Sequence, residues 1–217
     1  MDVLLYIIEL IGTVAFSVSG ATVAIKHDLD AFGVMVMGVM VALGGGTIRD
    51  VMLGATPPRM FSNVVFVAVA IGTALLVFLL AYIFKRQYLK HELRLDQVNA
   101  VFDALGLAAF TVAGIQATVA KGFGDNALLC IVMGMTTAVG GGIIRDVCVK
   151  TVPMVFRKRV YAVASLLGGI VYYLMYVTGV NVIVNTFVSG GIIFGVRMLA
   201  IIFRLNLPKV GAYVNLD

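Results

Sequence analysis

Apolar residues dominate this chain in seven long runs, which are separated by short stretches rich in charged, Gly or Pro residues. Each run is about 20 residues long, the length that an α-helix needs to cross the ~30 Å hydrocarbon core of a bilayer. The runs lack the alternation that is typical of transmembrane β-strands, so they predict helices. The predicted spans are Val3–Ile25, Ala31–Gly54, Asn63–Phe84, Val98–Val119, Asn126–Val149, Val160–Thr178 and Val182–Phe203.

Composition supports an all-α integral membrane protein. Of the 217 residues, 61% are hydrophobic and 12% are charged, and the mean hydropathy is +1.07. Soluble domains carry about 25% charged residues, so this composition excludes a soluble enzyme, a nucleic-acid-binding domain and a disordered chain. The spans and their short connections use the whole chain, which predicts a single membrane domain over residues 1–217.

Residues with catalytic or metal-binding chemistry are sparse. His27 and His91 lie in predicted loops, and neither a nucleophile–base pattern nor a metal-ligand spacing is present. Cys130 and Cys148 lie inside apolar runs, where free Cys behaves as a small hydrophobic residue. We therefore expect no enzyme activity, no cofactor and no catalytic residue.

Lys and Arg residues are distributed unequally between the two sides of the predicted membrane. One side carries only Arg59 and Lys121, whereas the loops after the odd-numbered spans and the C-terminus carry eleven basic residues. These are Lys26, Lys85, Arg86, Lys90, Arg94, Lys150, Arg157, Lys158, Arg159, Arg204 and Lys209. Basic residues are retained in the cytoplasm, so the N-terminus is predicted outside and the C-terminus inside. The basic linker, residues 85–97, serves either as a topology determinant alone or also as a contact for anionic membrane lipids.

The chain contains an internal repeat. A pattern in the first span recurs 94 residues later, with Glu9, Gly12, Phe16 and Gly20 matching Asp103, Gly106, Phe110 and Gly114. The motif Gly-Gly-Gly-Thr-Ile-Arg-Asp-Val at 44–51 recurs 96 residues later as Gly-Gly-Gly-Ile-Ile-Arg-Asp-Val at 140–147. Thr56, Pro58 and Phe61 then match Thr151, Pro153 and Phe156 at an offset of 95. Each repeat, about 3–84 and about 98–178, holds three spans, so the second is predicted to be inverted. The seventh span, about 182–203, has no counterpart.

The glycine triplets lie in the second and fifth spans, at Gly44, Gly45 and Gly46 and at Gly140, Gly141 and Gly142. Each Gly weakens a helix interior by about 1 kcal/mol relative to Ala, so a kink or an unwound turn is expected at each triplet. Carbonyls freed there would be candidate cation ligands near the membrane midplane. The alternative is that the triplets allow close helix–helix packing.

An Arg-Asp pair follows each triplet, at Arg49 and Asp50 and at Arg145 and Asp146. Charges at this depth normally face a cavity or each other. Adjacent helical residues point about 100° apart, so each side chain is expected to pair with a neighbouring helix or to line a watery path. Two such helices crossing with opposite directions predict an hourglass passage, with one Arg-Asp pair on each side of its waist.

Glu9 and Asp103 are repeat equivalents and join this set as secondary candidates, the alternative being two acids at headgroup level. With them, the spans carry four acids against Arg49 and Arg145, a net charge of −2, or −1 if Arg197 is included. Long Arg side chains also extend to the membrane surface, which is the other interpretation of Arg197. A net-negative route favours cations over anions.

The doubled Gly-Gly-Gly-x-x-Arg-Asp motif within seven spans resembles the prokaryotic branch of the trimeric intracellular cation channel family. The resemblance extends from Glu9 to about Arg204. It implies a homotrimer in which every subunit has its own pore, lined by the second and fifth helices and permeable to monovalent cations, chiefly potassium. It also implies a bacterial or archaeal cell membrane. Related bacterial sequences are described as a glycine transporter domain, so the resemblance leaves two functions open.

Three functional hypotheses follow. The first is a potassium channel in which Asp50 and Asp146 attract ions, while Arg49 and Arg145 set the pore width or act as a gate. The second is a carrier for a small zwitterion such as glycine, with an arginine binding the carboxylate and an acid binding the ammonium. The third is a membrane scaffold without transport.

Overall fold

The computed structural model describes residues 3–84, 92–157, 160–203 and Leu205. Seven helices in this part of the chain are long and apolar enough to cross a membrane, which confirms the predicted all-α membrane fold. They are α1 (Val3–Lys26), α2 (Ala31–Met52), α4 (Val64–Ile83), α5 (Glu92–Thr118), α6 (Ala127–Cys148), α8 (Val160–Val177) and α9 (Val182–Ile202). Two short helices, α3 (Arg59–Ser62) and α7 (Met154–Arg157), follow α2 and α6.

The helix boundaries differ from the predicted ones mainly around the basic linker. Residues 85–91 of that linker lie outside the described residues, and α5 begins at Glu92 instead of Val98. At its other end α5 continues into a π-helical turn, Val119–Phe123, in which Gly122 has a φ of 87°. The backbone of Gly122 is not helical, so the chain bends at this residue, where glycine adopts a positive φ without steric cost.

Polar side chains mark the starts of several spans. Asp30 accepts a hydrogen bond from the Gly33 amide at 2.7 Å, and Asn126 accepts one from the Leu129 amide at 3.0 Å. Such N-caps satisfy amides that the first turn of a helix leaves free. Of the two cysteines, Cys130 is buried as expected, but Cys148 is exposed because it is the last residue of α6 and its side chain faces outwards.

The α2 and α6 helices cross in opposite directions at their glycine triplets. A Cβ atom on Gly45 would overlap the carbonyl oxygen of Thr137, and one on Gly141 would overlap the carbonyl oxygen of Val41. Val41 and Thr137 are themselves repeat equivalents, so the two contacts are reciprocal. Because the later residue of one helix meets the earlier residue of the other, the two helices are antiparallel, as an inverted repeat requires.

The α1 and α5 helices repeat the same arrangement around a pair of aromatic rings. Phe16 and Phe110 are repeat equivalents, and their ring centroids lie 5.2 Å apart. Gly106 lies directly against Phe16, and Gly12 lies against Phe110. Two equivalent residues in mutual contact lie on a local two-fold axis, so this pair marks the centre of the inverted repeat.

Neither glycine triplet interrupts its helix, because α2 and α6 are helical over their whole lengths. The expectation of an unwound turn with freed carbonyls is therefore wrong, and with it the expectation that these carbonyls bind cations. The physical reason is the crossing itself, since only glycine lets the two backbones approach this closely. The packing interpretation accounts for Gly45 and Gly141. A Cβ atom added to Gly140 would likewise lie only 3.1 Å from the Cα atom of Gly45.

The α9 helix packs against α8 and α5, beside the second repeat. Polar side chains hold it there: the Asn185 amide donates to the Tyr172 carbonyl at 2.9 Å, and Gln116 donates to Thr186 Oγ1 at 2.9 Å. The seventh helix therefore breaks the symmetry of the fold by supporting only one of its halves.

A Cβ at the crossing should be strongly destabilising. We expect Gly45→Ala and Gly141→Ala each to lower the free energy of unfolding by about 1–3 kcal/mol or more, the usual range for overpacking. Gly72→Ala in α4 is the matched control, because nothing lies within 4 Å of the added Cβ and the helix gains propensity. Thermal unfolding of the three purified variants in detergent measures the difference. Equal melting temperatures for all three would contradict the close crossing.

Candidate functional site

All six predicted charged residues are buried, and the structure brings them together in two groups. Cluster 1 consists of Glu9, Arg49, Asp50 and Arg59. Cluster 2 consists of Asp103, Arg145, Asp146 and Arg197. Glu9 and Asp103 are 4% and 0% exposed and make ion pairs inside the protein, so both belong to the buried charged set. The two clusters lie beside the C-terminal ends of α2 and α6, at opposite ends of the crossing.

In cluster 1, two arginines form ion pairs with two acids. Arg49 donates from Nε and Nη2 to Asp50 Oδ1, at 2.9 and 2.7 Å. Arg59 donates from Nη1 to both carboxylate oxygens of Glu9, at 2.5 and 2.6 Å. Arg49 Nη1 lies 4.0 Å from the same carboxylate, so Glu9 connects the two arginines.

In cluster 2, Arg145 is the central residue. It donates from Nε to Asp146 Oδ1 at 2.8 Å, and from Nη1 to Asp103 Oδ1 at 2.8 Å and to Ser19 Oγ at 2.6 Å. Arg197 is held more loosely. Its Nη2 lies 3.9 Å from Asp103 Oδ2, and its guanidinium carbon lies 4.7 Å from the centre of the Tyr161 ring.

The Arg and Asp of each pair bind each other, contrary to the expectation that adjacent residues would face apart. The Arg side chain is long enough to fold back along the helix and reach a short neighbouring carboxylate despite the angle between their Cβ directions. The second oxygen of each Asp binds the start of the following short helix: Asp50 Oδ2 accepts from the Arg59 amide at 2.9 Å, and Asp146 Oδ2 accepts from the Met154 amide at 2.7 Å. Each Asp therefore orients its Arg and fastens the loop that follows.

Both clusters are electrically neutral, with two acids and two arginines each. The buried side chains alone sum to −1, which confirms the predicted value that includes Arg197, itself 3% exposed. The partly exposed Arg59 supplies the further positive charge that makes the two clusters neutral. From the sequence, Arg59 is predicted to lie in a loop between the second and third spans. The excess of acids over arginines in the predicted spans was the signal that could have indicated Arg59, since unpaired acids at membrane depth require further cations.

The second arginine of each cluster comes from a different place in the chain. At the offset of 95 that relates the loops, the counterpart of Arg59 is Met154. Cluster 2 instead takes its second arginine from α9, which has no counterpart in the first repeat. The two sites thus reach the same charge balance by unrelated routes.

A cavity adjoins each cluster. A small one of about 40 Å³ is lined by Glu9, Arg49 and Asp50 and extends to Phe110 and Thr137 near the crossing. A larger one of about 670 Å³ reaches cluster 2. The residues lining the larger cavity include His27, Asn99, Arg145, Asp146 and Arg197. Within the described part of the chain, no three His, Cys, Asp or Glu side chains are grouped so that they could hold a metal ion.

Arg145 is the residue whose loss we expect to damage cluster 2 most. Arg145→Met leaves two buried acids with fewer cations, which costs about 3–5 kcal/mol of folding free energy for a broken buried pair. The double variant Asp103→Asn/Arg145→Met should recover part of that loss, because it leaves one acid fewer without a partner. Lys121→Met, at an exposed position, is the control. Thermal unfolding measures all three variants, and a double variant less stable than Arg145→Met alone would contradict the pairing.

Comparison with known proteins places the chain in a family. A family model described as "Glycine transporter" matches residues 6–82 and 100–177. A UPF0126 membrane protein of Vibrio cholerae is 39% identical over 208 residues, covering 94% of this chain and 82% of that protein. The UPF0126 inner membrane protein YadS of Escherichia coli K12 is 37% identical over 210 residues, covering 94% and 95%.

Two solved structures share the fold. A prokaryotic TRIC channel crystallised in 0.5 M KCl has a TM-score of 0.84 and 31% identity, covering 95% of this chain and 100% of that one. The TRIC trimeric intracellular cation channel orthologue from Rhodobacter sphaeroides has a TM-score of 0.84 and 28% identity, covering 94% and 100%. The chain is therefore a multi-pass membrane protein of the family that the glycine transporter model and the UPF0126 proteins represent, and it is related over its length to prokaryotic TRIC channels.

Proposed function

We propose that this protein is a monovalent cation channel that prefers potassium to anions and forms a homotrimer with one pore in each subunit. The observation that carries the proposal is the similarity over nearly the whole chain to solved TRIC cation channels, at 31% and 28% identity. The orientation follows from the distribution of basic residues, with the N-terminus outside and the C-terminus in the cytoplasm. The membrane is the cell membrane, as for the inner membrane protein of Escherichia coli.

The proposed path runs along the α2–α6 crossing. The cavities at clusters 1 and 2 approach the crossing from its two ends, and the triplets Gly44–Gly46 and Gly140–Gly142 lie between them. The aromatic pair Phe16 and Phe110 and the close glycine contacts lie at the crossing, and they support a proposed path that is closed there. Opening then requires α2 and α6 to separate or slide at this close contact, where Ile144 packs on Gly44 and Ile48 packs on Gly140.

The ion pairs set a condition on conduction. A permeating cation gains little from a neutral cluster, because each carboxylate already faces an arginine. Glu9, Asp50, Asp103 and Asp146 therefore attract cations only when an arginine moves away from them. We infer that Arg49 and Arg145, each bound to its adjacent Asp, are the fixed members of the clusters. Arg59 and Arg197 reach their acids from other parts of the chain and are the movable ones.

The glycine carrier is the rival hypothesis. The family model that matches this chain bears that description, and each cluster offers an arginine beside an acid, the pair of groups that a zwitterion needs. The solved relatives are channels, and they favour the cation channel instead. Both hypotheses use the same clusters, so a transport measurement has to separate them.

We expect the purified protein in planar bilayers to show unitary current steps that reverse near the potassium equilibrium potential. For a tenfold KCl gradient this is a shift of about 59 mV, the value for a single charge. Proteoliposomes prepared from the same sample are tested for uptake of labelled glycine. Reversal near the chloride potential would contradict the cation channel. Saturable glycine uptake without current steps would establish the carrier.

A further inference from the structure

Four buried side-chain atoms in the described part of the chain lack a hydrogen-bond partner, and they all belong to one region. They are Asn99 Oδ1, Asp103 Oδ2, Tyr161 Oη and Arg197 Nε. Asn99 lies one helical turn before Asp103 on α5 and lines the 670 Å³ cavity, as does Arg197. Arg197 faces both Asp103 and the ring of Tyr161. Buried polar groups are almost always satisfied, so four exceptions in one place require an explanation.

The internal repeat shows that the fold does not need these polar groups. At offsets of 94 and 95, the counterpart of Asn99 is Leu5 and the counterpart of Tyr161 is Phe66, both buried. Contacts support this alignment, because the hydrogen bond from Ser17 to the Ala70 carbonyl corresponds to that between Thr111 and Ser165. The first repeat therefore builds the same packing with apolar side chains. The side-chain oxygens of Asn99 and Tyr161 in the second repeat therefore have a role other than packing.

The unpartnered oxygens match the chemistry of a monovalent cation. A carboxylate, an amide carbonyl and a hydroxyl are hard oxygen ligands, the type that alkali and alkaline-earth cations prefer in proteins. We propose that Asp103 Oδ2, Asn99 Oδ1 and the Tyr161 hydroxyl bind one partly dehydrated monovalent cation beside the 670 Å³ cavity that Asn99 and Arg197 line, and that Arg197 competes with this cation for Asp103. The inference rests on the proposed cation-channel function and assigns it a specific ion site.

Arg197 is suited to this competition and Arg145 is not. Arg145 donates to three acceptors, whereas Arg197 has one ion pair at 3.9 Å, a contact with an aromatic ring and an unpartnered Nε. Because Arg197 also lines the cavity, its long side chain can carry the guanidinium into that space. Its withdrawal leaves cluster 2 with a net charge of −1, which a single monovalent cation restores to zero.

Cluster 1 offers no comparable site, because both oxygens of Glu9 accept hydrogen bonds from Arg59. The residues of the first repeat that are equivalent to Asn99 and Tyr161 are Leu5 and Phe66, whose side chains carry no oxygen atom. The two ends of the path therefore differ, and the ion site lies at the end that α9 supports.

Rb⁺ is the probe for the site, because its anomalous scattering marks its position in crystals. We expect crystals soaked in RbCl to show density beside Asp103 Oδ2, and Arg197→Gln crystals to show more of it. The half-saturating K⁺ concentration for conductance should fall about tenfold in Arg197→Gln, the effect expected when one nearby like charge is removed. Lys121→Gln makes the same change in net charge at an exposed position and should alter neither measurement.

Two further variants, Asn99→Leu and Tyr161→Phe, introduce the side chains that the first repeat has at the equivalent positions. Both should weaken the Rb⁺ density without lowering the melting temperature, because the first repeat packs the same side chains in equivalent places. A purely structural role would instead show as a lower melting temperature with unchanged density. These variants keep the proposal falsifiable if Arg197→Gln fails to fold.

The outcomes separate the ion site from the channel function. Rb⁺ density at Asp103 that increases in Arg197→Gln, in a protein without potassium current, would support the site and overturn the channel. Potassium current without Rb⁺ density at Asp103 would overturn the site and leave the channel standing. Equal density in wild type, Arg197→Gln and Lys121→Gln would exclude competition by Arg197.

Discussion

Charge neutralisation at membrane depth is the constraint on which this structure depends. An ionised side chain in a spanning helix is tolerated when an opposite charge lies beside it and water or protein satisfies its remaining hydrogen bonds. Each cluster meets the charge requirement with two acids and two arginines, but in cluster 2 Asp103 Oδ2 and Arg197 Nε lack hydrogen-bond partners. The requirement determines which elements must meet: α1 with α2 and the short helix α3, and α5 with α6 and α9.

The glycine crossing and the charge clusters are two aspects of one arrangement. Because α2 and α6 approach each other through Gly45 and Gly141, their C-terminal ends diverge to opposite sides of the molecule, and each carries its Arg-Asp pair there. The Asp of each pair then fastens a short helix through a backbone amide. A displacement at the crossing would therefore be transmitted to both clusters and to both loops.

The two repeats have the same packing but different chemistry. Phe16 and Phe110 contact each other across the local two-fold axis, and the Ser17 and Thr111 hydroxyls make equivalent bonds to the third helix of each half. Around this shared frame, cluster 1 is completed by an arginine from a loop and cluster 2 by one from the seventh helix. The seventh helix thus does more than fill a surface, because it supplies a charge that the second repeat lacks.

The sequence alone determined the seven spans, the inverted repeat and the membership of Glu9, Arg49, Asp50, Asp103, Arg145 and Asp146 in the candidate site, because hydropathy, spacing and internal similarity are local signals. The tertiary structure decided that the triplets pack as intact helix and that Arg59 and Arg197 neutralise the clusters. Those outcomes depend on contacts between residues far apart in the chain, such as Arg145 with Ser19, 126 positions away. The intrinsic flexibility of glycine is visible in the sequence, but whether it is used for a break or for a close crossing depends on the helix that lies against it.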